Sequence, residues 1–329
     1  MKQKRNGGRR LLALLLAVCL LGGLTANVFA FDNVVASGTC GAEGDGSNLR
    51  WSMTASGVLT ITGSGAMADY EESGEGPWRE VYAQEQYYYV NELKLDDRIT
   101  HIGSYAFEDY THPDGTLVLP ASCVSIGEYA FSGLTFSGTL QLPSGLQHIG
   151  SHAFYYCQNL TGDLVIPEGC VTVGDSAFDY AYSETAGTLT LPSTLLTIGE
   201  YAFHGCKFSG ELKLPSGVTS IGKGAFGGTT RYTGTLTIPG SCVSIGAEAF
   251  SGDFDTLILE SGVRSIGDSA FYACEKLTSL ILPDGLVEIG SSAFENCTAL
   301  SGTLQIPGSV KTIGDRAFES CGMTKLVLG

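Results

Sequence analysis

The 329-residue chain has few basic residues, with 18 Lys and Arg against 34 Asp and Glu and a net charge of −16. Five of these basic residues lie within the first ten positions, at Lys2, Lys4, Arg5, Arg9 and Arg10. Removing those five leaves 13 basic against 34 acidic residues, a net charge of −21. Nucleic acids and anionic lipid surfaces bind through positive charge, so neither is expected as a partner.

Long apolar runs are also scarce. The run Leu11–Leu21 is too short to span a bilayer as a helix. It follows the basic residues and precedes Val28-Phe29-Ala30, which has the small residues that a signal peptidase reads. The sequence therefore predicts a signal peptide over residues 1–30 and an exported mature chain with no membrane-inserted segment. The alternatives are a buried N-terminal helix and lipid attachment at Cys19.

Catalytic motifs are missing as well, since no GxSxG, HExxH or P-loop occurs. Gly63-x-Gly65-x-x-Ala68 imitates a dinucleotide fingerprint but lacks the βαβ unit that gives this pattern its meaning. His148 and His152 have metal-like i, i+4 spacing, yet the Ile149-Gly150 corner between them breaks any helix there. We expect no enzyme, no catalytic residue, no cofactor and no metal ligand.

Carboxylates recur along the chain, for example at Asp175 and Asp268, each directly after an Ile/Val-Gly corner. Such regular recurrence spreads the carboxylates into rows instead of bringing two together. We interpret these rows as a solvated face. Calcium bound between repeats, or an enzyme that uses the acidic rows, are the alternatives.

What the sequence does contain is a repeat. An Ala-Phe pair returns ten times at intervals of 21 to 25 residues. The repeat phenylalanines are Phe107, Phe131, Phe154, Phe178, Phe203, Phe226, Phe250, Phe271, Phe294 and Phe318. A period of this length is typical of a solenoid, whose coils bury their apolar sides only against one another.

Each coil has three segments. A Leu-x-Leu-Pro segment, such as Leu140–Pro143, predicts a strand that buries its two outer residues and ends at proline. A Val/Leu-x-x-Ile-Gly segment supplies two core residues and a glycine that we expect to have positive φ at a corner. The Ala-Phe segment predicts a short helical turn. Eleven Leu-x-Leu strands at about 4.8 Å spacing are expected to form one parallel sheet, and the predicted class is a β-rich α/β solenoid.

Nine of the ten cysteines lie after residue 30, and eight of them follow the repeat. Five lie three residues after a repeat phenylalanine, and three lie three residues after a strand-ending proline. Other coils have Leu or Val at the second position, so we interpret the cysteines as small buried hydrophobes. A disulfide between stacked coils, such as Cys274 with Cys297, is the alternative. No CxxC pair supports a metal site.

Residues 31–92 differ from the repeats. Apolar and polar residues alternate in two runs, at Leu49, Trp51 and Met53 and then at Leu59 and Ile61. This alternation predicts a β-hairpin with one buried face. The segment from Pro77 to Val90 is interpreted as helical. Because a solenoid needs an atypical unit over its first coil, we predict a β-rich cap at 31–92 and a solenoid of about ten coils at 93–329.

The pattern Leu-x-Leu-Pro-x-x-Val-x-x-Ile-Gly-x-x-Ala-Phe-x-x-Cys resembles the BspA-type, or Treponema pallidum-type, leucine-rich repeat of bacterial surface proteins. The stretch from Trp51 to Trp78 is similar to a module found before such repeats in Gram-positive gut bacteria. The resemblance implies a right-handed superhelix with a parallel sheet on its concave side. It also implies secretion or surface display and binding roles, including adhesion to host proteins. It offers no catalytic residue to carry over.

The concave sheet is the predicted partner-binding face. Its candidate residues are the outward-facing middle residues of the strands: Val118, Gln141, Val165, Thr190, Lys213, Thr237, Ile258, Ile281 and Gln305. None is an aromatic hot-spot residue, and good strand formers stacked for stability are the alternative interpretation. Tyr87–Tyr89 and Tyr180–Tyr182 are competing contact sites.

The strand Leu326–Leu328 is followed by no further coil in this sequence, and an uncovered edge of this kind favours association. Two functions therefore remain open. One is a secreted or cell-surface repeat protein that binds extracellular proteins or glycans, including host surfaces. The other is a structural component that self-associates through the last coil and has no discrete ligand.

Overall fold

The computed structural model describes residues 33–71, 76–79, 81–83, 86–109, 117–135, 137–228 and 231–329. The predicted signal peptide lies outside the described residues. Val34–Gly329 form one unit. Its described residues contain strands, bridges and turns, and no helix. The β-rich solenoid is therefore confirmed, whereas the α/β class and the short helical turns are wrong.

The strands are short because proline, glycine and turn residues end each apolar segment. The strands before the coils are β1 (Val34–Thr39), β2 (Leu49–Thr54), β3 (Val58–Gly63), β4 (Gly65–Ala66), β5 (Val81–Ala83), β6 (Gln86–Tyr88) and β7 (Glu92–Leu95). Those of the coils are β8 (Ile99–Ile102), β9 (Ser125–Ile126), β10 (His148–Ile149), β11 (Leu164–Val165), β12 (Thr172–Val173), β13 (Leu189–Thr190), β14 (Thr197–Ile198), β15 (Gly210–Glu211), β16 (Ser220–Ile221), β17 (Tyr232–Ile238), β18 (Ser244–Ile245), β19 (Asp253–Leu259), β20 (Ser265–Ile266), β21 (Ser279–Ile281), β22 (Glu288–Ile289), β23 (Gly302–Ile306), β24 (Thr312–Ile313) and β25 (Met323–Leu328).

The longest sheet is built from the Ile-Gly segments and not from the Leu-x-Leu segments. It contains eleven parallel strands in the described chain, in the order β4, β8, β9, β10, β12, β14, β16, β18, β20, β22 and β24. The Leu-x-Leu strands form shorter pieces: β11 with β13, then β15, β17, β19 and β21, then β23 with β25. The single Leu-x-Leu sheet that the sequence predicted is therefore wrong.

The coils differ in length in only one of their segments. In every coil, the Ile or Val before the corner glycine comes nine positions after the first strand leucine. The phenylalanine comes five positions after that Ile or Val. The separation from the phenylalanine to the next strand leucine varies from 7 to 11 residues. The constant segment keeps its register from coil to coil. The Leu-x-Leu strands follow the variable segment directly, and their longest sheet includes the coil with the shortest such segment.

The ten repeat phenylalanines form one continuous stack inside the solenoid. Ring centroids in successive coils lie 5.1–5.5 Å apart, and the ring planes differ by at most 13°. All except Phe318 are buried. Burying such a side chain stabilises a fold by about 1.5–3 kcal/mol, so this column is a major part of the core.

The corner glycines have a different role from the predicted one, because none of them has positive φ. Each corner instead lies against the backbone of the preceding corner. A Cβ atom on Gly174 would lie 2.6 Å from the Ser151 nitrogen, and one on Gly290 would lie 2.6 Å from the Asp268 nitrogen. Glycine is required by this close approach and not by its conformational freedom.

Positive φ occurs instead two residues before each repeat phenylalanine. The residues there are Tyr105, Tyr129, His152, Ser176, Tyr201, Gly224, Glu248, Ser269, Ser292 and Arg316. A residue with positive φ interrupts the helical backbone at this position. As a result, every second N–H group of the turn points to the next coil. The Phe107 N–H donates to Ala130 O at 2.9 Å, and the Phe131 N–H donates to Ala153 O at 2.9 Å. This ladder replaces the i to i−4 bonds of the predicted helical turn.

The residues before the coils contain the predicted hairpin of β2 and β3, with β1 added to β2 and β7 added in parallel to β3. The segment after Trp78 that was predicted to be helical forms the antiparallel pair β5 and β6. Trp78 is fully buried and stacks on Phe107 with 5.4 Å between ring centroids. The phenylalanine stack therefore continues into the N-terminal part of the unit.

Three donors from these residues also complete the hydrogen-bond ladder of the first coil. The Tyr70 N–H donates to Ser104 O, Trp78 Nε1 donates to Ala106 O, and Arg79 Nη1 donates to the Glu108 carbonyl O, each at 3.1 Å. In later coils the corresponding carbonyls accept N–H groups of the preceding coil. The N-terminal residues thus take the place of a preceding coil.

We predict that Gly174→Ala lowers the free energy of unfolding by about 1–3 kcal/mol, because its methyl group would overlap the preceding corner. Gly145 is the matched control, since a Cβ atom there meets nothing within 4 Å and its φ is not positive. Gly145→Ala should leave the stability unchanged or raise it by up to about 1 kcal/mol. Denaturant unfolding measures both. Equal stability of the two variants would contradict the corner contact.

Candidate functional site

The nine residues predicted to bind a partner lie at outward positions of the Leu-x-Leu segments. Seven are exposed, and Thr237 and Ile258 are half-buried. Cross-coil pairing joins them into short rows, with Val118 beside Gln141, Val165 beside Thr190, and Thr237 followed by Ile258 and Ile281. Because the sheet is broken, strand pairing does not join these rows into one sheet. Partner binding by these residues stays a prediction.

A second outward surface lies on the Ala-Phe turns of the first five coils. Eight aromatic side chains contact one another there in succession. We call these residues the aromatic band: Tyr105, Tyr129, His152, Tyr155, Tyr156, Tyr180, His204 and Tyr201. Successive ring centroids lie 4.3–5.5 Å apart. Lys223 Nζ lies 5.6 Å from the Tyr201 ring centroid at the far end.

Later coils show that the fold does not need these aromatic rings. The five tyrosines with positive φ in the band have φ between 51° and 56°, a region that is unfavourable for bulky side chains. Ser269 and Ser292 occupy the position of Tyr105 in later coils, both with φ of 54°, and Asn296 occupies the position of Tyr156 with φ of 64°. Small polar residues therefore satisfy the same turn, and the turn alone does not explain the tyrosines.

The band borders two depressions with acidic walls. One, of about 530 Å³, is lined by Glu108, Asp109, Tyr129, Tyr155 and Tyr156 together with small polar residues. The other, of about 340 Å³, has Tyr201, His204, Glu248 and Tyr272 in its wall. Burial and the nearby charges of Glu128 and Glu108 raise the pKa of Tyr129. The surface is thus both aromatic and negative in potential.

The sequence analysis missed the band because it treated each outward position separately. Tyr105, Tyr129 and Tyr201 occupy the position of His152 in other coils, and this recurrence of aromatic residues was the available signal. Of the competing contact sites, Tyr180 belongs to the band. Tyr182 is fully buried against Phe208, 4.9 Å away, so it cannot serve as a contact residue. Tyr87 and Tyr89 are exposed.

The carboxylate rows have a structural role. Asp175 Oδ1 accepts the Glu200 N–H at 2.8 Å, and Asp268 Oδ1 accepts the Ser291 N–H at 2.7 Å. Each of these aspartates satisfies a backbone donor in the next coil. His148 Nδ1 bonds to Thr172 Oγ1 at 2.9 Å, whereas His152 stacks on Tyr129. Across the described ranges, no group of three or more His, Cys, Asp and Glu side chains could hold a metal ion.

All nine cysteines in the described part of the chain are free thiols, and eight are buried. Cys157 Sγ donates to Phe131 O at 3.1 Å, and Cys206 Sγ donates to Phe178 O at 3.0 Å. Burial raises the pKa of Cys157 to about 12. Only Cys321 is half-buried, and a hydrogen bond from Cys297 lowers the pKa of its thiol. The cysteines behave as small core side chains, and Cys274 and Cys297 are not bridged.

The last described coil exposes apolar side chains that are buried in other coils. Ile313, Leu326 and Leu328 are exposed, whereas Ile289 and Leu304 at corresponding positions are buried. Phe318 is also half-exposed at the end of the phenylalanine stack.

The repeat geometry can now be compared with known proteins. The BspA type leucine rich repeat region matches residues 81–185, 179–300 and 230–329, in six copies. The chain belongs to the BspA-type leucine-rich repeat family. The resemblance found in the sequence is confirmed. The family and its fold are those of repeat proteins that are generally non-enzymatic.

Solved structures of bacterial leucine-rich repeat proteins are similar to this chain. One from Eubacterium ventriosum is 24% identical to this chain and has a TM-score of 0.39. The alignment covers 88% of this chain and 96% of that protein's chain. A leucine rich cell surface protein from Faecalibacterium prausnitzii is 22% identical, with coverages of 86% and 93% and a TM-score of 0.41. The pneumococcal vaccine antigen PcpA is 17% identical, with coverages of 90% and 82% and a TM-score of 0.48.

No curated protein matches the chain significantly. In the part of the chain that the structure describes, no helix has the length and apolar character needed to cross a bilayer.

We predict that Cys321 is alkylated before the other described cysteines in the native protein. Thiolate is the reactive form, and Cys321 combines partial exposure with a lowered pKa, whereas burial raises the pKa of Cys123 and Cys170 to about 11. As pH rises from neutral, iodoacetamide labelling followed by mass spectrometry should find Cys321 modified first. In denaturant, all nine cysteines should react. Equal native labelling of Cys157 and Cys321 would contradict this ranking.

Proposed function

We propose that this BspA-type protein is an extracellular repeat protein that binds other proteins or glycans through the aromatic band. The observation that carries this proposal is the unbroken contact of eight aromatic side chains over five coils. Tyrosine combines a large apolar ring with a hydrogen-bonding hydroxyl, and it is enriched in binding hot spots. An outward row of such rings suits a broad contact with a partner.

The Leu-x-Leu face is the competing surface. Its nine candidate residues include the exposed aliphatic side chains Val118, Val165 and Ile281 but no aromatic ring. An interface there would depend on shape and small apolar contacts, which rarely supply hot spots. Export follows from the predicted signal peptide, and surface display and adhesion to a host are part of this proposal.

The test compares the two surfaces on immobilised mucin and a panel of purified extracellular-matrix proteins. The band variant is Tyr105→Ser/Tyr129→Ser/Tyr156→Asn, which uses residues that other coils carry at the same positive φ. The control is Ile258→Glu/Ile281→Glu on the Leu-x-Leu face. We expect the band variant to bind at least about tenfold more weakly, as the loss of a hot spot requires, and the control to bind as wild type. The reverse pattern would assign binding to the Leu-x-Leu face.

Self-association through the last coil is a second candidate function, favoured by exposure of Ile313, Leu326 and Leu328. A strand edge with apolar side chains pairs readily with another chain. Sedimentation velocity of the exported chain should then show dimers or larger species, and Leu326→Glu/Leu328→Glu should shift them to monomer. A monomer at high protein concentration would argue against this candidate.

A further inference from the structure

Glu108 is a carboxylate in an unfavourable environment. It directly follows the first repeat phenylalanine and is only 9% exposed. Its Oε2 atom is buried and has no hydrogen-bond partner among the described residues. The same position in later coils holds Glu295 and Glu319, which are more exposed. Burying a carboxylate oxygen without a donor is unfavourable, and a donor supplied from outside the chain would offset part of this cost.

Glu108 lies in the wall of the 530 Å³ depression at one end of the aromatic band. Asp109 is exposed beside it, and Tyr129, Tyr155 and Tyr156 form the aromatic wall. Gly133, which has φ of 70°, packs beside Asp109, and a Cβ atom there would clash with Asp109 Oδ1. Two carboxylates of the first coil thus face three tyrosines of the next two coils.

This combination selects for positive charge. The faces of tyrosine rings attract cations, and carboxylates form charge-assisted hydrogen bonds with guanidinium and ammonium groups. The tyrosines of the wall also lie next to one another, with 4.6 Å between the ring centroids of Tyr155 and Tyr156. The adjacent Arg79 directs its Nη1 to the carbonyl oxygen of Glu108, so this bond does not satisfy the buried Oε2.

We propose that this depression binds a cationic side chain, arginine or lysine, from a basic segment of a partner protein. The proposal rests on the proposed function, because it gives the chemistry of the ligand at one end of the aromatic band. The large excess of acidic residues in the chain favours the same partner, since it steers basic molecules towards the surface. A neutral glycan would supply hydroxyl donors but no positive charge for the carboxylates of Glu108 and Asp109.

The test uses an acetylated and amidated peptide of alternating arginine and glycine, and its counterpart with citrulline, which keeps the shape and removes the charge. Fluorescence anisotropy at physiological ionic strength measures binding to the exported chain. We expect the arginine peptide to bind at least about tenfold more tightly than the citrulline peptide. Glu108→Gln should weaken the arginine complex by about tenfold, the effect of one charge-assisted hydrogen bond.

Glu295→Gln is the matched control, because it changes the same coil position and the same net charge far along the solenoid. It should bind the arginine peptide as wild type does, and equal losses in both glutamine variants would reduce the effect to general electrostatics and overturn the site. Tight binding of the citrulline peptide would overturn it as well. Glu108→Gln should melt at the wild-type temperature or above it, so that lost binding does not reflect unfolding.

The two proposals fail in different ways. If Glu108→Gln retains peptide binding while the tyrosine variants lose binding to mucin or matrix proteins, the cation site is wrong and the band remains the contact surface. If Glu108→Gln loses peptide binding while the tyrosine variants keep binding to mucin or matrix proteins, the cation site stands and the wider role of the band is wrong.

Discussion

The contact between successive Ile-Gly corners is the constraint on which the other regularities depend. No side chain fits between one corner and the next, as the position of a Cβ atom on Gly174 shows. Backbone atoms therefore meet directly and fix the rise of each coil to about the spacing of a β-ladder. The constant spacing to the phenylalanine then places each ring over the previous one at 5.1–5.5 Å. The corner sets the register, and the phenylalanine stack supplies apolar burial.

This arrangement gives the solenoid a direction. In the Ala-Phe turns, alternate N–H groups all point towards the following coil, and the matching carbonyls point towards the preceding one. The first coil consequently has carbonyls without partners unless another segment supplies donors. Tyr70, Trp78 and Arg79 supply them, and Trp78 also extends the ring stack. The N-terminal residues therefore satisfy a polar requirement as well as an apolar one, as a preceding coil does elsewhere in the solenoid.

Sequence periodicity predicted which side chains are buried, and it did so because burial repeats with the coil. The phenylalanine column, the buried cysteines and the hairpin around Trp51 were all available from that signal. Backbone conformation was not available from this signal. The glycine of an Ile-Gly corner is equally consistent with a positive φ and with close approach of the backbone of the neighbouring coil. Tyrosine at position 105 gives no sequence indication of a left-handed residue, so a helical turn was the natural prediction for Ala106-Phe107. The same limit hid the sheet of Ile-Gly strands, each of which is mostly two residues long.

In a repeat protein, core positions and outward positions differ in what they indicate about function. Core positions repeat because every coil must stack, and they carry no information about a ligand. Outward positions are free to differ, so a departure from the repeat at an outward position needs another explanation. Tyrosine in place of serine at a positive φ is such a departure, because it adds strain without adding to the core. These tyrosines gather in the first five coils, next to a carboxylate with one buried oxygen that has no hydrogen-bond partner. Two independent departures in one place argue for a binding surface more strongly than either feature alone.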